Sequence, residues 1–279
     1  MRKNVPHQLY GPPSRQQGIS LIELMIGIAL SLLVLTAVIY VFAGSRASYR
    51  HQESFSAVQE SGRIALELLN RDIRMAGNPG CGNLTFLNHL SPGVFDNAAA
   101  LASAPGANAT DPDGITLVRG SAVVAVLAGS PASNQLQLTT VAPLGTVAAG
   151  DRLLLSDCAS TQVVTVSAVA GNVLTLSAPL AQQFRPGSQV MRLETVMYAV
   201  NVATRELQRN GQAVAGGVRN MQMLYGISDT AGRSVNRYVE NPAAAVGDVV
   251  AVKLEIIVAD GPEISMPFSS TIALRNRAP

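Results

Sequence analysis

The stretch ISLIELMIGIALSLLVLTAVIYVF, residues 19–42, is an almost unbroken apolar run with a single acid, Glu23, near its start. As a helix rising about 1.5 Å per residue it spans about 36 Å, enough to cross a bilayer core with some tilt. The helical pattern continues beyond the run. Phe55, Val58, Ala65, Leu69 and Ile73 recur at spacings of three, four and seven, with Leu68 beside them, while Arg63, Glu67, Asn70 and Arg74 occupy other faces. That arrangement predicts an amphipathic helix. No proline occurs from Gly18 to Asn78, and Gly77, Asn78, Pro79 and Gly80 then supply a stop. One continuous rod of about 80 Å is expected.

The period changes further along. Residues 78–114 read as a loop, ending in the low-complexity stretch NAAALASAPGANATDPDG. From Ile115 the chain breaks into short β-type runs: ITLVRG, AVVAVLAG, NQLQLTT, DRLLLSDC, TQVVTVSAVAGNVLTLS, SQVMRLETVMYAV, RELQRNG, VRNMQMLYGIS, DVVAVKLEIIVAD and FSSTIALRN. Gly171-Asn172 and Arg209-Asn210-Gly211 are hairpin signals. The expected fold class is α+β: a long N-terminal helix, then an antiparallel β-rich head at 115–279, with the amphipathic stripe of residues 43–77 covering a sheet.

Charge places the ends of the rod. The net charge is +2, but Arg2, Lys3 and Arg15 precede the apolar run with no acid among them. Without residues 1–18, 17 basic side chains face 18 acidic ones, so the basic balance belongs to the leader. The positive-inside bias keeps the N-terminus cytoplasmic, although Arg46 and Arg50 weaken the contrast. The head then faces the periplasm or the exterior. An ordinary secretory signal competes, with Val41-Phe42-Ala43 as its cleavage site, but its apolar stretch would be unusually long and would carry an acid.

Glu23 is the anomaly. A carboxylate in hydrocarbon costs about 2.5–3.5 kcal/mol on insertion scales, so it needs a partner or a route to the headgroups. Cys81 and Cys158, both beyond the apolar run, can pair if that part of the chain is exported; two unpaired buried thiols are the alternative.

GISLIELMIGIALSLLVL closely resembles the class III signal of type IV pilins and type II secretion pseudopilins. In these a basic leader ends in glycine, cleavage follows it, and glutamate stands fifth in the mature chain. Gly18 takes the glycine place and Glu23 the glutamate place, and Ile19 becomes the new N-terminus, where phenylalanine or methionine is more usual. QESGRIALELLNRDIRMAGNPGCG, LLLSDC, VRNMQMLYGISD and STIALRNR are similar to the PilW group of minor pilins. Cys81 and Cys158 fall where that group has a cysteine pair. Many major pilins carry a proline where Tyr40 stands here, a departure that suits the chain less to a repetitive shaft.

The resemblance implies a leader, 1–18, removed between Gly18 and Ile19 by a prepilin peptidase that also N-methylates the new terminus. The membrane part, 19–42, then remains as an anchor. Leu21, Ile22 and Leu24 would pack laterally, and Glu23 would pair with the α-amine of a neighbouring Ile19. Implied partners are the lipid bilayer, other minor pilins and the major pilin, the inner-membrane assembly platform and a tip adhesin. No cofactor, metal or nucleic acid is implied, and no enzymatic activity. The nearest alternative is a pseudopilin of type II secretion, particularly its J component; a DNA-receptor pilin is more distant.

The remaining candidates are weaker. TDPDG, residues 110–114, has two acids before a glycine but lacks the spaced ligands of a calcium loop, and reads as a turn. Arg233, Arg237, Arg275 and Arg277 could form a basic patch, but without aromatic interleaving they read as a solvated face. His51 and His89 are the histidines left after leader removal, and neither sits in a catalytic motif.

Overall fold

A computed structural model describes residues 18, 20–108, 110–131, 133–140, 147–228 and 234–277. The chain divides into two compact units, 1–53 and 54–279. A single helix, α1 (Leu21–Arg74), is unbroken over 54 residues, as the absence of proline requires.

Two sheets build the second unit. The first takes β1 (Asn88–His89), β2 (Leu101–Ala104), β3 (Gly114–Leu127), β4 (Gln135–Thr140), β5 (Arg152–Ser156), β6 (Ser160–Ala170), β7 (Val173–Leu176), β8 (Gln189–Asn201), β9 (Glu206–Arg209) and β10 (Gln212–Gly216). The second takes β11 (Val218–Ile227), β12 (Arg237–Val239), β13 (Val249–Asp260) and β14 (Ile264–Ala273), in the order β12-β11-β13-β14. Among these pairings, the two-residue β1–β6 contact alone is parallel. The fold is thus a long apolar N-terminal helix followed by an antiparallel β-rich domain, a pilin-like α+β architecture. Within the stretch expected as a loop lie β1, β2 and a turn of 3-10 helix at Leu84–Phe86.

Six strands of the first sheet close on themselves. β3 pairs β4, β4 pairs β7, β7 pairs β6, β6 pairs β5, β5 pairs β8, and β8 returns to β3. This circuit is a small barrel filled by its own side chains, among them Leu127, Leu136, Leu153, Leu155, Val164 and Leu174. β3 and β8 then run out of the barrel, and Ile115, Leu117, Val196 and Tyr198 enter a second core with α1. The transition on β3 is a register shift between Gly120 and Val123, the local bend that a bulge introduces. ITLVRG and AVVAVLAG are therefore one bent strand rather than two.

In the second core, Val58, Ala65, Leu69 and Ile73 of α1 meet Met221, Met223, Leu254 and Ile256 of β11 and β13. Each of these side chains larger than alanine contributes about 1.5–3 kcal/mol by leaving water. Phe55, expected on the same stripe, is instead 41 % exposed. The strand ends at Gly216–Gly217 and Val258–Asp260 reach the helix beside Ala57, Val58 and Ser61, so the sheet cover begins one turn after Phe55. At its other end α1 stops through Gly77, whose φ of +66° is a left-handed cap conformation that glycine adopts without strain. Asn78 then exchanges hydrogen bonds with Gly120 of β3: the Asn78 side-chain amide donates to the Gly120 carbonyl at 2.9 Å, and Gly120 N–H donates to the Asn78 carbonyl at 2.8 Å. Both hairpin signals hold: β6 and β7 turn through Gly171-Asn172, and β9 and β10 through Asn210-Gly211 with φ of +51° and +78°.

One position on the helix stripe is not apolar. Asp72 is fully buried, three residues after Leu69, and its carboxylate is shared among three donors from the first sheet. Arg119 Nη1 of β3 donates at 2.9 Å, Arg209 Nε of β9 at 2.8 Å and Tyr198 Oη of β8 at 2.8 Å. Glu194 of β8 accepts from both arginines, at 2.9–3.1 Å. The register makes this lattice: Arg119 lies opposite Glu194, and Tyr198 opposite Arg209. Burial by itself would raise the Asp72 carboxyl, but hydrogen bonds from Arg209, Tyr198 and Arg119 outweigh it and hold the group below its ordinary value. Burial and the same contact raise the Tyr198 hydroxyl.

Three further ties fix the loops. Asp113 accepts from Gly106 N–H and Met223 N–H, and Asp111 from Asn108, so the acids of TDPDG close a turn onto β11. Arg277 is buried, contrary to its expected place on a solvated face. Its guanidinium donates to the carbonyls of Val246, Val249 and Asn97, and burial pushes its pKa down to about 10. Arg237 and Arg275 are exposed, and Arg233 lies outside the described residues. Cys81 and Cys158 form a disulfide with Cα atoms 4.8 Å apart, joining the exit of α1 to the β5–β6 turn across 77 residues of sequence. Asp157 shapes that turn by accepting from the N–H groups of Ala159 and Ser160.

Two tests follow from these ties. Asp72→Ala removes the buried one of the two carboxylates that Arg119 and Arg209 share, leaving Glu194, and is expected to cost about 3 kcal/mol, read from the urea midpoint of the mature chain in micelles. Because the native Asp72 carboxyl titrates below its unfolded value, its contribution is full above about pH 4 and is lost as pH falls through the depressed value. Asp72→Asn should therefore flatten the acid limb of the stability curve. Cys81→Ser should lower the midpoint by an amount equivalent to about 2–5 kcal/mol.

Candidate assembly surface

In residues 21–42 the side chains face outward all round the helix. Leu21, Ile22 and Leu24 are 77 %, 66 % and 55 % exposed, and the most apolar 18-residue window has a mean hydropathy of 2.6 with none of it buried within the chain. This is the described helix that is long and apolar enough to cross a membrane. A helix apolar on every side is stable where lipid or other helices surround it, since nothing in its own chain covers it.

Two of its polar groups are satisfied internally. Ser31 Oγ donates to the Ile28 carbonyl at 2.9 Å, and Thr36 Oγ1 to the Leu32 carbonyl at 2.7 Å. These back-bonds remove two hydroxyls that lipid could not satisfy. At the far end the Arg46 guanidinium lies over the Phe42 ring, 4.7 Å from its centroid, where apolar and charged sequence meet. Glu23 differs. It is exposed in the first turn of α1 and has no hydrogen-bond or ion-pair partner among the described residues.

Gly18, just before the helix, is exposed, and a side chain placed there would meet nothing within 4 Å. Ile19, the expected new terminus, lies outside the described residues. The structure therefore places Leu21, Ile22, Glu23 and Leu24 together on the first turn of one free helix, and Cys81 and Cys158 apart from them in the head. Among the described residues no group of His, Cys, Asp or Glu could hold a metal. His89 instead lies 3.5 Å from Thr161 Oγ1, a contact between β1 and β6.

Sequence reasoning missed the Asp72 lattice. The available signal was an acid at stripe spacing from Ala65 and Leu69, a position where an unpaired carboxylate would be costly. Its partners, scattered from 119 to 209, were not recoverable from spacing.

Residues 13–39, which contain Gly18 and Glu23, match the family model of the prokaryotic N-terminal methylation motif. Residues 186–266, from the turn before β8 to the start of β14, match that of type IV pilus-assembly protein W. No curated protein matches the chain. The pilus-assembly families are structural rather than enzymatic, and the apolar helix with its prepilin motif fits a membrane-anchored pilin. At its anchor the chain is similar to the N-terminal methylation motif and in its β-rich head to type IV pilus-assembly protein W, a pair of matches consistent with a PilW-family type IV minor pilin.

Proposed function

We propose that the chain is made as a prepilin, is cut between Gly18 and Ile19 by prepilin peptidase and N-methylated at Ile19, and then primes pilus assembly. Its β-rich head stands in the periplasm while the anchor remains in the inner membrane. With other minor pilins it forms the starting complex on the inner-membrane assembly platform, receives the major pilin beneath it, and stays at or near the filament tip, where a tip adhesin would join. It performs no chemistry on a substrate; it templates an assembly.

The observation that carries this reading is Glu23, a carboxylate without a partner among the described residues on a helix whose Ser31 and Thr36 hydroxyls bond to their own backbone. Cleavage after Gly18 creates an α-amine four residues away. In a stack of staggered helices the amine of one subunit answers the carboxylate of the next. That pairing makes the buried acid tolerable and fixes axial register. Leu21, Ile22 and Leu24 supply the surrounding apolar contact.

Glu23→Ala is the direct test. With cleavage at Gly18 unchanged, surface piliation and incorporation of the variant should each fall about tenfold, the equivalent of one intramembrane polar contact. Normal piliation with normal incorporation of the variant would remove Glu23 from the mechanism. Mass spectrometry of the mature terminus should show methylated Ile19, whereas a start at Gly44 would mark an ordinary secretory signal.

A further inference from the structure

The second sheet ends on one side at β14, and the free edge of that strand is only half guarded. Leu274 N–H bonds to the Val250 carbonyl, while Arg275 N–H bonds to the Arg74 carbonyl of α1. Even-numbered residues therefore turn their backbone groups toward β13, and odd-numbered ones turn theirs away. Pro267 obeys this parity: lacking an N–H, it occupies an outward position and blunts the edge there. Beyond it the outward groups of Ser269, Thr271 and Ala273 have no partner among the described residues, until Arg275 closes the edge onto the helix.

A groove of about 410 Å³ lies along this open segment, between Ser270, Thr271 and Ile272 on one side and Asn70, Arg71, Arg74 and Met75 of α1 on the other. No acid lines it. Arg71 approaches Asp72 at 3.5 Å but is still 65 % exposed, and Arg74 has no ion pair among the described residues. The side-chain oxygen of Asn70 is buried without a hydrogen-bond partner. An open strand edge, an orphaned acceptor and a cationic wall share one groove.

We propose that this groove receives an extended segment of another pilin subunit, which adds as a fifth strand beside β14 and sets an Asp or Glu against Arg74. The reading rests on the proposed function, because it takes the neighbour to be a filament subunit. Main-chain hydrogen bonds to Ser269, Thr271 and Ala273 give the contact its strength, and the carboxylate gives it direction. Pro267 limits the added strand to the segment next to the helix end, which fixes its register.

The experiment uses the full chain in piliated cells of the host. The photocrosslinking residue p-benzoylphenylalanine replaces Ser269 in one strain and Ile28, in the membrane helix, in another. The expected result is a conjugate at Ser269 with another pilin, mapped to a segment containing Asp or Glu. Thr271→Pro removes one outward donor and leaves the β13 ladder intact, and should lower that conjugate about tenfold. Arg74→Glu should lower it similarly and keeps the test alive if the proline variant fails to fold, as judged by its urea midpoint. An Ile28 conjugate without one at Ser269, or a Ser269 conjugate indifferent to both substitutions, overturns the added strand while leaving the pilin role standing. Loss of both conjugates in cells that still cleave Gly18 overturns the proposed function, and this inference with it.

Discussion

Burial of one helical stripe decides how the rest of this chain is arranged. From Val58 to Ile73 the stripe of α1 lies on two sheets, and Asp72 pins it there through arginines from two different strands. An apolar contact alone tolerates sliding by a turn, because one leucine resembles another. A carboxylate enclosed by Arg119, Arg209 and Tyr198 does not, since any shift takes a fully buried charge away from its partners. The helix is thereby held in one register against the sheet, and its exit at Gly77 is held against β3.

Ahead of Val58 the same helix has no sheet to cover it, and the chain offers no substitute. In its apolar part, 21–42, Ser31 and Thr36 turn their hydroxyls to their own backbone, the apolar side chains point everywhere, and the one acid, Glu23, waits. Neither half alone defines a role. A buried half supplies a mount, and a bare half supplies an apolar surface of the kind that lipid or other helices cover.

What could be read directly were features written in local periodicity. The uninterrupted helix, the alternating strands and the two hairpins at Gly171-Asn172 and Asn210-Gly211 all rest on neighbours within a few residues. Barrel closure was illegible, because it depends on β3 meeting both β4 and β8, and no alternation records which strands pair at a distance. Phe55 fits the helical period but lies beyond the end of its sheet. Arg277 carries the composition of a surface residue, yet the carbonyls of Val246, Val249 and Asn97 draw it inside. The first turn of the anchor was readable for the opposite reason: an acid amid leucines stands out against any background.

The barrel enters and leaves the head on two strands already paired to each other, with Gly120 opposite Leu193 at its doorway. Everything between those residues is an excursion that begins and ends about 5 Å apart, the spacing of neighbouring strands. Among the described residues its interior shares no side chain with the core beneath the helix. Geometrically it is an annex, moored to the helix exit by the Cys81–Cys158 disulfide: its far side can be enlarged, reshaped or recut to suit a different contact at the surface, as long as that mooring and the paired strands at the doorway are kept.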